Sequence, residues 1–233
     1  LQIPRNIFVT TDASFSGNYQ INAIAKTQGS NGGNNISALA DEIYNIFGLH
    51  VDGYLSVRLE ALTQIIDTFG GIKVYVPQEM DYGGSHLSQG YQTMDGAAAE
   101  FFLRTRHIYA DSDLGRLRMQ RYFYAALFAR MRSMTVWDIA KLLPVITSQM
   151  ETDLSSTELV SVAVSMLKIS SSNIMFCQIP VYMGQAISYN GNSTVVVARQ
   201  ETADLLNEYF RENTGPVDAS QLNIAGDDGL FDL

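Results

Sequence analysis

Leu59-Glu60-Ala61-Leu62-Thr63-Gln64-Ile65-Ile66-Asp67-Thr68-Phe69-Gly70-Gly71-Ile72-Lys73-Val74-Tyr75-Val76-Pro77 sets two periodicities side by side. Leu62, Ile65, Ile66 and Phe69 recur at helical spacing, and Gly70-Gly71 stops the helix they predict. Ile72 to Val76 then reads as a buried strand closed by Pro77. A helix feeding straight into a buried strand is the repeating step of an α/β fold, and the same alternation extends in both directions.

Upstream, Ile3 to Thr11 is rich in β-branched and aromatic residues and predicts a strand. Gly29 to Asn35 is a glycine- and asparagine-rich stretch; it lacks the lysine of a phosphate-binding loop and reads as a linker. Ile36, Leu39, Ala40, Ile43, Ile46 and Phe47 predict a helix capped by Asn35 and stopped by Gly48. Tyr54 to Val57 reads as a short strand. Downstream, Gln78 to Gly90 has no periodicity and reads as a surface loop over a cleft. Gly96 to Leu103 predicts a helix, with Arg104 to His107 at its end. Tyr109 to Gly115 is a loop, and Arg116 to Met131 a long helix. Val136 to Met150 and Ser155 to Lys168 are two more helices, the first kinked or split at Pro144. Ile174 to Ile179 reads as a strand. Asn190-Gly191 marks a hairpin between Ile187-Ser188-Tyr189 and Thr194-Val195-Val196-Val197, and Gln200 to Arg211 a terminal helix. The alternation predicts an α/β fold: one layered α-β-α domain over 1–212, its central mixed β-sheet flanked by helices. An acidic, flexible tail over 213–233 follows. No internal repeat and no shift of composition divides the chain.

With 46% apolar and 17% charged residues among 233, the chain is of the globular class. No apolar run approaches the roughly 18 residues that span a bilayer. The sequence starts at Leu1-Gln2-Ile3-Pro4-Arg5 with neither an initiator methionine nor a signal peptide, and reads as a piece of a longer protein. One cysteine excludes an internal disulfide and a cysteine-rich zinc site; in the run Ile174 to Ile179, Cys177 reads as a small buried core residue. A net charge of −9 argues against nucleic acid as a partner, since neutralising phosphates takes an extended basic face.

Against that acidic balance, seven of the fifteen cationic residues fall between Arg104 and Arg132, and all seven are arginine. The guanidinium fork suits bidentate binding of phosphate oxygens, so the island predicts a pocket for a phosphorylated ligand. In an extended segment Arg104 and Arg106 share a face and both reach one phosphate; the other reading pairs them with Glu100, Asp111 and Asp113. Asp113 ahead of Gly115-Arg116 puts an arginine in the first turn of a helix, where anions bind. Arg130 and Arg132 read as a solvated face, and Arg118 and Arg121 stay open. His107 is either a general base or a hydrogen-bonder beside the arginines. Tyr122-Phe123-Tyr124 reads as core, with a lipid-facing wall as the alternative. No nucleophile elbow, glycine-rich nucleotide loop, paired histidines or basic helix-turn-helix is present.

Several segments, in order, resemble the LytR–CpsA–Psr family. They are Ile3-Pro4-Arg5-Asn6, Gln20-Ile21-Asn22-Ala23-Ile24-Ala25, Phe69-Gly70-Gly71-Ile72, and Gln89-Gly90-Tyr91-Gln92-Thr93-Met94-Asp95-Gly96. Arg104-Thr105-Arg106-His107 and Asp113-Leu114-Gly115-Arg116 complete the set, which is strongest over 1–125. The resemblance implies an extracytoplasmic enzyme, attached to the cell membrane through an amino-terminal span. It would transfer a phosphate-linked glycopolymer, of teichoic acid or capsule type, from an undecaprenyl pyrophosphate carrier to peptidoglycan. A non-catalytic polyprenyl phosphate-binding module is the alternative. By the same resemblance Arg5, Arg104, Arg106, Arg116 and Gln120 hold the pyrophosphate, and Asp113 orients the arginines or helps bind magnesium. Leu62, Ile66, Phe101 and Phe123 line an apolar tunnel for the lipid. The family's first strand and its magnesium-binding aspartates would precede residue 1. Asn6, Met119, Arg121 and Gln20 depart from the family's usual aspartate, arginine, glutamine and lysine.

Overall fold

The computed structural model of this chain describes residues 1–10, 19–26, 35–189 and 191–226. The Gly29-to-Asn35 linker (except Asn35), the end of the Ile3-to-Thr11 strand, Asn190 and the last seven residues of the tail lie outside them. The chain is a mixed α/β protein, as the alternation predicts. Its contacts fall into two compact units, residues 1–52 with 177–233, and residues 53–176.

The first unit holds two helices of the amino-terminal segment, α1 (Ile21–Ala25) and α2 (Ile36–Phe47). Asn35 caps α2 by accepting from the Ala38 N–H at 3.2 Å, and Gly48 ends it in the left-handed conformation. The expected strand at Ile3 is interrupted. Pro4 has no N–H, Arg5-Asn6 is a turn, and pairing resumes only as single bridges from Ile7 to Val195 and Phe8 to Gln20. The expected strand at Ile174 is likewise reduced to one bridge between Gln178 and Gln2. Cys177 is half-buried rather than enclosed. Ile7, Val9, Phe47, Ile179 and Leu206 form the core.

The second unit runs through β1 (Leu55–Val57), α3 (Leu59–Thr68), β2 (Ile72–Val76), β3 (Met80–Tyr82), β4 (Ser85–Leu87), β5 (Gly90–Met94), α4 (Gly96–Arg104), α5 (Asp113–Arg132), α6 (Val136–Gln149), β6 (Met150–Thr152) and α7 (Ser156–Lys168). β2 pairs antiparallel with β5, from Ile72 opposite Met94 to Val76 opposite Gly90. Gly70 and Gly71 make the turn into β2 with φ of 73° and 93°, a region that favours glycine. Ile72, Val74 and Val76 face inward onto Ile66, Phe102 and Phe123. Two expectations change here. Gln78 to Gly90 is not an irregular loop: Met80 and Leu87 are buried opposite each other, and Gly83-Gly84 closes a two-residue hairpin between β3 and β4. Pro144 does not split its helix, which runs as α6 from Val136 to Gln149. β1 and β6 pair antiparallel.

The chain then returns to the first unit with the hairpin of β7 (Val181–Tyr189) and β8 (Asn192–Val197), followed by α8 (Arg199–Tyr209). Within the described residues the strands pair two by two, and single bridges extend the β7–β8 ladder. The segment expected to be a loose tail is docked as far as residue 226. Leu222 and Ile224 are buried, Arg199 donates to both of their carbonyls, and Asn207 exchanges two hydrogen bonds with Val217. Apolar side chains in the tail and fixed backbone partners outweigh its acidic composition.

Gly96 tests the packing of α4 on α3. A Cβ there would lie 2.5 Å from the Thr63 carbonyl oxygen, and the Gly96 N–H already donates to Asp67 at 2.7 Å. Gly96→Ala is expected to destabilise the chain by about 1–3 kcal/mol through overpacking, read as a lower urea midpoint.

Candidate functional site

The arginine pair sits where α4 ends. Arg104 is the last helical residue; Thr105 is extended and 6% exposed, so its side chain points inward, between an exposed Arg104 and a half-buried Arg106. Both line an open depression of about 380 Å³, with Glu100 and Phe101 from α4, His107, and Tyr82 and Ser85 from the β3–β4 hairpin. Arg104 bonds Glu100 at 2.8 Å, one turn back, while remaining 64% exposed. Among the described residues Arg106 has no ion-pair partner. The two sequence readings thus divide: Arg104 is paired and Arg106 is open.

Arg116 lies in the first turn of α5 and meets Asp113 at 2.9 Å, the two side chains being 20% and 14% exposed. Its Nε is buried with no hydrogen-bond partner. One turn on, the Gln120 amide donates to the Leu103 carbonyl at 3.0 Å, which ties the helix to the residue preceding Arg104. Tyr124 continues the same stripe; burial raises its phenol, and the charge of Arg116 offsets part of that rise. Arg104 and Arg106 line the depression at the end of α4, whereas Asp113, Arg116 and Gln120 lie on α5 and are not among its lining residues; Gln120 is bonded to the end of α4. Arg5 belongs to the other unit, on an exposed turn where its carbonyl accepts from the Asn22 N–H at 3.1 Å.

The start of α5 is tightly built. Ser112 has φ of 49°, the one positive value at a non-glycine position among the described residues. A Cβ on Gly115 would lie 2.4 Å from Cβ of Tyr109. Asp111 grips Arg118 through both oxygens, one bond at 3.0 Å, and the Arg118 guanidinium holds its carboxyl below the ordinary carboxylate range. Burial pushes the Tyr109 phenol up to about 12, so it stays protonated and lies 3.9 Å from the Met80 sulfur. Arg130, expected on a solvated face, donates to the Phe69 carbonyl at 2.9 Å and so satisfies the last turn of α3. Asp111 and Asp113 are both engaged by arginines, and no group of three potential ligands occurs among the described residues. These residues do not fit a magnesium site.

Of the expected lipid-lining residues, Ile66 and Phe123 are wholly buried in the core, Leu62 packs against it, and Phe101 reaches the arginine depression. A separate apolar depression of about 200 Å³ opens between Ala125, Phe128 and Ala129 of α5, Ile174 and Phe176, with Arg132 at its rim. Sequence reasoning missed Tyr82 and Ser85. The signal was Gly83-Gly84 between Met80 and Leu87, a two-residue hairpin mark.

The α/β fold thus carries a group of arginines where α4 ends and α5 begins. The LytR_cpsA_psr family model matches residues 1–211, and the chain belongs to that family. The cell wall biosynthesis protein LcpA of Corynebacterium glutamicum is 26% identical over 88% of this chain and 38% of its own length. A protein of Oceanobacillus iheyensis named polyisoprenyl-teichoic acid--peptidoglycan teichoic acid transferase TagU is 32% identical over 48% of this chain and 36% of its own length. The chain thus matches little more than a third of either relative. The crystal structure of B. subtilis TagV shares the fold with a TM-score of 0.65 at 23% identity, over 94% of this chain and 76% of that one.

The Asp111–Arg118 bond makes a pH prediction. A carboxyl whose folded pKa is depressed adds stability above its unfolded value near 4 and loses it as pH falls through the lower folded value. Asp111→Asn is therefore expected to lower the thermal midpoint at neutral pH, and the gap to the parent should narrow from about pH 4 downward.

Proposed function

We propose that this chain transfers a phosphate-linked glycopolymer, of teichoic acid or capsule type, from a polyprenyl pyrophosphate carrier to a peptidoglycan hydroxyl, at the outer face of the cell membrane. The observation that carries the reading is Arg106, without an ion-pair partner among the described residues, at an open depression with Arg104 beside it and Arg116 at the adjoining helix start. Family membership and relatives named for cell wall biosynthesis and teichoic acid transfer support it.

In this reading the acceptor hydroxyl forms a new bond to the phosphorus next to the glycan. The bridging P–O bond breaks, polyprenyl phosphate leaves with the electron pair, and the hydroxyl proton departs with it. Charge grows on the leaving phosphate, and fixed guanidinium groups stabilise it with little reorganisation. Arg106 serves this role directly. Arg104 joins it by exchanging Glu100 for a phosphate oxygen. Arg116, held by Asp113, presents a fixed charge from α5, and Gln120 holds α5 against the end of α4. The apolar depression bounded by Phe128 and Phe176 is a place for part of the prenyl chain. A membrane anchor preceding residue 1, and magnesium held by aspartates there, belong to the same proposal, and no step here is routed through the metal.

Transfer from a synthetic polyprenyl pyrophosphate-linked disaccharide to peptidoglycan fragments, followed by mass spectrometry, tests the proposal in the protein bearing its native upstream segment. Arg106→Ala is expected to cost roughly 2.7–4 kcal/mol of barrier, about a hundredfold to a thousandfold in rate, by analogy with loss of an oxyanion donor. Because Arg106 has no ion-pair partner among the described residues, an unchanged thermal midpoint is expected. Donor binding without transfer would leave only a binding module, and unaltered transfer by Arg106→Ala would remove the site.

A further inference from the structure

The arginine depression has a second wall that phosphate binding does not use. Tyr82 stacks on His107 with ring centroids 4.9 Å apart and planes 22° apart. The stack is held at both ends. Tyr82 closes β3 opposite Ser85, on a hairpin anchored by buried Met80 and Leu87, and His107 directly follows Arg106. Tyr82 is nevertheless 49% exposed. A volume of about 380 Å³ exceeds what a phosphate group fills and falls within the range of small-molecule sites. Ser85 and Glu100 bring a hydroxyl and a carboxylate to the same rim.

We infer that Tyr82 is a specificity-determining residue: its ring receives the sugar of a sugar phosphate whose phosphate is held by Arg104 and Arg106. The inference rests on the phosphate reading above and names the ligand class of that site. A pyranose offers an apolar face of C–H groups and a rim of hydroxyls. The face lies against the phenol ring, and the rim reaches Ser85 and Glu100. Aromatic rings bind in this way because they bring large apolar area at small cost in rotamer freedom. Stacked on His107, the Tyr82 side chain has little freedom left to lose.

Calorimetric titration of the chain with inorganic pyrophosphate, glucose 1-phosphate and uridine diphosphate tests the inference. Tyr82→Ala is expected to weaken glucose 1-phosphate about tenfold, the scale of one lost aromatic contact, and to leave pyrophosphate unchanged. Tyr82→Phe keeps the ring and should bind as the parent does. Arg106→Ala should weaken both ligands. If pyrophosphate binds but Tyr82→Ala leaves glucose 1-phosphate unaffected, or weakens both alike, the sugar assignment fails and the phosphate reading stands. Uridine diphosphate binding more tightly than glucose 1-phosphate would make the platform a base site and overturn the assignment. If the parent binds none of the three, the phosphate reading itself falls.

Discussion

A guanidinium group taken out of water needs a carboxylate, and this requirement shapes the start of α5. Transfer of an unpaired charge into the interior costs several kcal/mol, so Arg116 at 20% exposure is tolerable only with Asp113 against it. Asp111 engages Arg118 two residues further on, though that side chain is half exposed. The loop must then bend sharply enough to present both carboxylates to the helix it precedes. Ser112 takes a positive φ there, and Gly115 leaves room for Tyr109. Gln120 carries the constraint onward by fastening α5 to the Leu103 carbonyl. Arg106, which lines the depression, has no carboxylate partner within the described residues, and the proposed function rests on it.

The acidic total and the basic island are consistent. Glu100, Asp111 and Asp113 are spent locally on Arg104, Arg118 and Arg116, while Arg106, Arg121, Arg130 and Arg132 have no carboxylate ion-pair partner among the described residues.

Much of this was legible in the sequence wherever one residue's chemistry decides the local geometry. Asn35 caps, Gly48 stops, and Gly70-Gly71 turns the chain into a strand, because each acts through its own backbone or nearest neighbours. Arg104, Arg106 and Arg116 were legible as a set because all lie near one helix junction. Other features depended on partners distant in sequence. Arg130 reads as solvated until α3 brings the Phe69 carbonyl to it, 61 residues away. The tail reads as loose until Arg199 and Asn207 supply its backbone partners. Ile3 to Thr11 has strand composition, but Pro4 and the turn at Arg5-Asn6 break the ladder. The β3–β4 hairpin was overlooked because three-residue strands are too short for a period to register, although Gly83-Gly84 marks the turn.

The division of the chain also fixes an order of events. Residues 53–176 form one continuous unit, whereas the other unit joins residues 1–52 to those from 177 onward. As the polypeptide leaves the ribosome or a translocation channel, the inner unit has all its parts while the outer one still lacks half its core. Ile7, Val9 and Phe47 must wait for Ile179 and Leu206, more than 120 residues behind them. Until those arrive the amino-terminal segment is a greasy, unclosed flap, the stretch of this protein most in need of a chaperone.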